Sequence, residues 1–371
     1  MREQRYPFTP NPYPAFDRTN RVCPALGMGI AASMTRLRRV RQSSPGYSRR
    51  RHGRGFVYFD ERGEPIRDER LERLRALAIP PAWTDVWICS HERGHLQATG
   101  TDDAGRRQYL YHPDWRRQRD REKFERIESF AEALGPLRAR IDADLRRRGY
   151  PRERVLACAV RLLDRGLFRV GGEDYADNNG SYGLATLRRE HVVVRRDGAA
   201  EFDFVGKGGK RHIREIRDPD AVRVLRTLRR RRGADELLAW KDAEGWHDVR
   251  AADINAYIKE TAGADFSAKD FRTWHATVLA ATFLAERGVA TSGRATTRTI
   301  RAAADAVAEH LGNTAAVARS SYIDPRVIDR YVDGEVIDVR PVPAAEPGAT
   351  IEAAVLDLLR AHGDSRLSAA A

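Results

Sequence analysis

Apolar and polar positions recur along this chain with two different periods. Between residues 55 and 112 they come in short bursts: Phe56-Val57-Tyr58-Phe59, Val86-Trp87-Ile88-Cys89-Ser90, residues 94–100, and Gln108-Tyr109-Leu110-Tyr111-His112. Bursts of this length, separated by Gly63 and Pro80-Pro81, predict mostly antiparallel strands. One short helix interrupts them, capped by Asp68 and stopped before Pro80. From Trp115 the spacing changes to three and four. Helices are predicted over 115–134 and 137–148, split at Gly135-Pro136 because proline removes a helical hydrogen bond. A more apolar helix over 154–168 carries Val155, Leu156, Ala159, Val160, Leu162 and Leu163 and breaks at Gly166. Strands are predicted over 186–195, 200–205 and 211–216, joined by the Asp197-Gly198 turn and a tight turn over 206–210. Asp218-Pro219 opens a helix to Arg232, whose run of arginines from 229 reads as a solvated end that favours the helix dipole. Helices follow over 251–262 and 267–286. Residues 288–299, rich in Gly, Ser and Thr, are expected to be mobile. A helix over 300–311, a Gly312-Asn313 turn and a short segment bearing Tyr322 complete the pattern.

The elements predict an α+β protein with two domains, as 371 residues allow. A small N-terminal antiparallel β-sheet domain is expected over 50–115. A larger, mainly α-helical domain over 116–338 would hold a three-stranded β-hairpin sheet. Residues 1–49 read as a disordered, basic extension, because five prolines within 1–33 break any periodicity and no apolar pattern builds up. Met34 is a second candidate start. The arginines of 36–54 fit either a solvated linker or an arm that tracks a phosphate backbone. Residues 339–371 read as a Pro- and Ala-rich C-terminal tail with a short helix over 350–361.

Composition sharpens this picture. No run reaches the ~18 apolar residues of a membrane span. Cys23, Cys89 and Cys158 are scattered and lack metal-ligand spacing, which suits a reduced, cytoplasmic protein better than a disulfide scaffold. The formal net charge is +13 and the pI about 10, so a polyanionic partner is expected, with nucleic acid first. Six of the 66 basic residues are lysines, at 123, 207, 210, 241, 259 and 269. Each is notable, because arginine replaces lysine as a charge but not as a tunable acid.

Four side chains stand out for chemistry: Tyr322, Arg169, Arg272 and Lys207. Taken singly, each has a plain explanation as a core aromatic, a surface ion pair or a turn lysine. Together they supply what cleavage of a phosphodiester without metal requires. A phenol is a nucleophile that also leaves readily, so a phosphotyrosyl bond is reversible. Two planar guanidiniums offset charge on the non-bridging oxygens. A lysine on a glycine-flanked hairpin tip, with a pKa that neighbouring cations can lower, could give the departing alkoxide its proton. Tyr109 and Tyr111 point the same way along a strand, as core residues or as a face for a nucleic-acid backbone.

The ordered set of motifs at 162–171, Tyr182-Gly183-Leu184-Ala185-Thr186-Leu187, Phe204-Val205-Gly206-Lys207-Gly208, Asp270-Phe271-Arg272-Thr273-Trp274 and Ser321-Tyr322-Ile323 resembles the type IB DNA topoisomerases, in their compact bacterial and poxvirus form. The resemblance covers about residues 50–338. It implies a tyrosine recombinase/topoisomerase IB-like catalytic domain that, with the sheet domain, clamps double-stranded DNA. It further implies one nicked strand, a 3′-phosphotyrosyl link, rotation and resealing by a monomer acting on nucleoid DNA, with neither metal nor nucleotide cofactor. Asn313 stands where the family usually has histidine; it can donate a hydrogen bond but carries no charge. The resemblance marks Gln108, Tyr109 and Tyr111 as groove-facing, and Lys210 and Arg211, beside the hairpin tip, are expected to touch phosphate. Tyr175 and Tyr182 are candidate backbone contacts, with packing an equal alternative, and His275 reads as structural. Two other readings stay open. A tyrosine recombinase would carry histidine where Lys269 stands and would lack the sheet domain. A non-enzymatic helix-turn-helix-like DNA-binding protein would use 306–322 but would have no need of Lys207.

Overall fold

The computed structural model describes residues 37–53, 55–172, 180–233, 235–339 and 347–368. The expected extension at 1–33 and Tyr175 lie outside them. The chain divides into two compact units, one over Gly27–Glu125 and the other from Arg126 onward.

The first unit is a five-stranded antiparallel sheet of β1 (Gly46–His52), β2 (Gly55–Phe59), β3 (Thr84–Cys89), β4 (Leu96–Thr101) and β5 (Arg107–Tyr111), in the order β2-β1-β3-β4-β5. One short helix, α1 (Arg70–Ala76), supplies Leu74 to a core with Tyr47, Tyr58, Ile66, Ile79, Val86, Ile88 and Ala98. β1 corrects the reading of 36–54 as linker or arm. Tyr47 and Arg49 alternate inward, and Arg49 is buried, because its guanidinium donates to the carbonyls of Ile79, Pro80 and Trp83. It also lies 4.0 Å over the Phe56 ring. An arginine whose donors are met by backbone carbonyls can occupy a core-facing strand position.

The second unit is mainly helical. Its helices are the later part of α2 (Pro113–Leu145), then α3 (Arg152–Gly166), α4 (Pro219–Arg230), α5 (Ala251–Ala262), α6 (Ala268–Arg287), α7 (Gly293–Leu311), α8 (Ala315–Ser321), α9 (Pro325–Val332) and α10 (Pro347–Ser368). A three-stranded sheet of β6 (Val192–Val194), β7 (Ala200–Gly206) and β8 (Lys210–Ile216) and a small hairpin of β9 (Ala239–Lys241) and β10 (Trp246–Asp248) complete it. The α+β reading holds.

Several local expectations do not. Gly135-Pro136 leaves α2 continuous. Ile127, Phe130, Leu134, Leu137, Ile141 and Leu145 keep one helical phase across the proline, and all are buried in the main core. Their packing outweighs a missing backbone bond and ring clash worth about 3 kcal/mol. The strand expected over 186–195 shortens to β6, preceded by two 3₁₀ turns. Part of the 288–299 stretch is helical: α7 begins at Gly293, where Ser292 accepts a capping bond from the Ala295 amide. Arg231, expected in solvent, is buried, with Glu236 O and Asp248 as acceptors. α10 is longer than the helix expected over 350–361. Among the described residues, no helix is long and apolar enough to cross a membrane.

Candidate active site

The site forms where two helix ends meet one strand. α3 stops at Gly166, and Leu167 takes a left-handed conformation at φ 55°. That conformation costs a residue with a β-carbon roughly 1–2 kcal/mol. It turns the chain toward Arg169, and the Leu167 carbonyl accepts from Arg272 Nη1. The Tyr182-to-Leu187 motif then fixes the arginine's backbone. Leu184 N donates to Arg169 O at 2.8 Å and Ala185 N to Val170 O at 2.7 Å. Tyr182 N donates to Val205 O at 2.8 Å, which ties this segment to β7.

The C-terminus of α7 is the second helix end. Its last carbonyls have no helical donors and carry the negative pole of the helix dipole. Two cations cap them and a third holds the turn that follows. Arg214 donates to His310 O, Arg272 Nη2 to Leu311 O at 2.9 Å, and Lys210 Nζ to Asn313 O at 3.1 Å. Gly312 turns the chain at φ 66°, where a left-handed residue is required. Thr314 caps α8, and Tyr322 ends it through its N–H to Ala318 O at 3.0 Å. Thr277 of α6 holds the following segment, its hydroxyl accepting from Asp324 N at 3.1 Å.

These constraints bring Arg169, Arg272, Asn313 and Tyr322 together. Arg169 Nη1 donates to Tyr322 Oη at 3.3 Å, and Nη2 donates to Asn313 Oδ1. The Arg272 guanidinium lies 5.3 Å from the Tyr322 ring centre. Tyr322 is 9% exposed and packs in the core cluster, yet both guanidiniums reach it. Burial pushes its phenol up, but Arg272 and Arg169 outweigh burial, and the pKa falls below the usual value of 10. Arg272 is driven down to about 10 by burial, reinforced by Arg169. Within this cluster two buried donors have no partner among the described residues: Asn313 Nδ2 and Arg272 Nε. Unpaired arginine Nε atoms recur elsewhere among the described residues, so it is Asn313 Nδ2, an orphaned amide donor beside a phenol, that marks a place for an acceptor.

Other expected residues are placed differently. Lys207 stands exposed at the β7–β8 tip, with no hydrogen bond or ion pair among the described residues. Lys210 reaches the Asn313 turn, whereas Arg211 faces the other way and pairs with Asp203 at 2.6 Å. Tyr182 packs at 4.4 Å against His191. In the first unit Tyr109 is 49% exposed and Tyr111 36%, their rings stacked at 6.2 Å. Gln108 donates to Asp102 at 2.8 Å. His275 is buried and structural, 3.0 Å from Asp164, whose carboxylate also binds Arg138, itself paired with Glu352 of α10.

Sequence reasoning missed His212 and Arg214. The signal was present: Lys210, His212 and Arg214 alternate along β8, so they share one strand face. Among the described residues, one group has ligand atoms close enough for a metal ion: Asp242, Glu244 and His247. There Asp242 already accepts from the Glu244 and Gly245 amides, as an ordinary turn does.

Comparison with known proteins agrees with this geometry. The family model described as "Eukaryotic DNA topoisomerase I, catalytic core" matches residues 112–333, which span the whole cluster and more than half of the chain. The chain belongs to the type IB DNA topoisomerases. A second model, "Bacterial DNA topoisomerase IB, N-terminal domain", matches residues 55–102 of this topoisomerase. "DNA topoisomerase 1B" of Acanthamoeba polyphaga mimivirus is 31% identical over 295 residues, 77% of this chain and 87% of the viral protein. "DNA topoisomerase 1" of Daucus carota is 28% identical over 160 residues, 43% of this chain but 19% of the plant protein. The protein of that name from Schizosaccharomyces pombe is 27% identical over the same shares. With both parts of the enzyme matched to topoisomerases, the recombinase and purely DNA-binding readings fall away.

Proposed function

We propose that this type IB topoisomerase relaxes supercoiled duplex DNA through Tyr322. The Tyr322 oxygen attacks phosphorus in line; its bond to phosphorus forms as the bond to the 5′-oxygen breaks. The phosphate stays on the 3′ end as a phosphotyrosyl ester. The cut strand rotates about the intact one, and the 5′-hydroxyl attacks phosphorus to expel the phenol. One phosphodiester is exchanged for another, so no nucleotide has to be hydrolysed.

Arg169 and Arg272 offset the charge gathering on the non-bridging oxygens. Arg272 gives one N–H from each Nη to a carbonyl, which leaves three of its five donors for phosphate. Asn313 aligns Arg169 through Oδ1 and donates from Nδ2. Lys207 protonates the leaving 5′-oxygen. Tyr109, Tyr111 and Gln108 contact the DNA groove, and Lys210, Arg211, Tyr175 and Tyr182 its backbone. One copy of the chain suffices for the reaction, on nucleoid DNA in the cytoplasm.

The convergence of two guanidiniums on one phenol supports this reading most. Its test is trapping on a duplex whose short downstream fragment, bearing the new 5′-hydroxyl, diffuses away after the cut. Denaturation should leave protein joined to the DNA 3′ end with wild type and none with Tyr322→Phe. An adduct on the 5′ end, or one that survives Tyr322→Phe, overturns the reading.

A further inference from the structure

His212 belongs to no step described above, yet it touches two of the elements that carry them. It pairs with Phe204 across the β7–β8 ladder, two positions from Gly206 on the same inward face. Its ring stacks on Phe204 at 5.3 Å and 25°. From there it reaches two glycines. A β-carbon on Gly206 would fall 2.6 Å from His212 Cδ2, and one on Gly312 only 2.2 Å from His212 Cε1. Both distances are far inside contact, so the two backbones close directly onto one ring. Gly206 precedes Lys207 at the hairpin tip, and Gly312 precedes Asn313 in the turn.

The surroundings explain why the ring is a histidine that stays neutral. Burial comes first, followed by Arg214 and Lys210 on β8, Arg272 on α6 and Arg169 after α3; together they depress its pKa to about 4. A neutral imidazole fills the gap without adding a fifth positive charge. A flat ring also fits between two bare Cα positions that a branched side chain would force apart.

We propose that His212 is a positioning residue for strand cleavage: its ring is the wedge that sets the Lys207 hairpin tip against the Gly312-Asn313 turn. Among the described residues Lys207 makes no hydrogen bond or ion pair that would fix it, so the ring settles where the proton donor stands relative to the leaving oxygen. This rests on the assignment of Lys207 as that donor.

A substrate that needs no proton tests it. Single-turnover cleavage is measured on duplexes whose scissile bridging atom is the ordinary 5′-oxygen or a 5′-sulfur, because a thiolate, of pKa about 8.5 as a thiol, departs unprotonated. Lys207→Ala should lose about 10²–10⁴-fold on oxygen and little on sulfur, the range for general acid catalysis. His212→Ala should lose at least about tenfold on oxygen and regain most of it on sulfur, because misplacing a catalytic group has this order of effect. Gly206→Ala disturbs the same contact from the other side and should behave alike, so the test survives if one variant fails to fold. Equal losses of His212→Ala and Gly206→Ala on both substrates, or no loss on oxygen, overturn the proposal alone when Lys207→Ala is rescued by sulfur. A Lys207→Ala enzyme that sulfur does not rescue overturns the assignment of Lys207 and this inference with it.

Discussion

Arg169 and Tyr322 lie 153 positions apart in the chain and meet at 3.3 Å, guanidinium nitrogen to phenol oxygen. The contact opposes burial: the pocket walls favour a neutral phenol, while Arg272 and Arg169 favour the phenolate and prevail. Arg169→Ala therefore raises the Tyr322 pKa. The rising limb of the single-turnover cleavage profile, where the phenol loses its proton, should move to higher pH, and the plateau rate should fall about 10²–10³-fold, as for one oxyanion donor. An unchanged limb would detach Arg169 from the nucleophile.

Asn313 accepts from Arg169 with one atom and leaves the other unpaired. Asn313→Ala removes both functions and should slow cleavage about 10²-fold. Asn313→His keeps one nitrogen to accept and one to donate, so its rate should match or slightly exceed wild type. Asn313→Asp keeps the acceptor but puts negative charge where phosphate would sit, and should be slower than the alanine variant. Single-turnover rates rank the three, and an aspartate variant faster than alanine would contradict the role given to Nδ2.

Gly135 and Pro136 sit inside a continuous helix that packs through them. A β-carbon at Gly135 meets open space. Gly135→Ala should therefore stabilise the enzyme by about 0.5–1 kcal/mol, by limiting the unfolded chain and favouring the helix. Urea unfolding reads this directly; a loss of stability would mean that the helix bends at this point in solution.

Two buried sites give acid sensitivity in separate windows. His212 titrates near 6.5 unfolded and about 4 folded. The unfolded chain binds the extra proton between those values, so stability declines as pH falls from 6.5 to 4. Arg138 and His275 hold Asp164 well below the carboxylate range against burial, and Arg138 lowers Glu352 against its burial. Their contribution is complete above the unfolded carboxylate values near 4 and is lost as pH drops further. His212→Asn should shrink the first decline, to which His95, His191 and His310, also lowered by burial, contribute, and Glu352→Gln should weaken the second while lowering stability at neutral pH. Urea midpoints followed against pH separate the two.

Much of this protein is written locally. The sheet bursts of 55–112, the Asp197-Gly198 turn, the helix over 251–262 and the Gly312-Asn313 turn follow from spacing and turn chemistry, which act between neighbours in the chain. So does the choice of Arg169, Lys207, Arg272 and Tyr322 as candidates, because each sits in a distinctive motif. Only tertiary structure decided the rest. Pro136 stays helical because a core on one face outweighs a local break, and Arg49 enters a strand because distant carbonyls meet its donors. Lys210, His212 and Arg214 gain their importance from the end of α7, about a hundred positions later. Periodicity reports which way a side chain points. It carries no distance between segments that chain folding brings together, and the chemistry of this site depends on such distances.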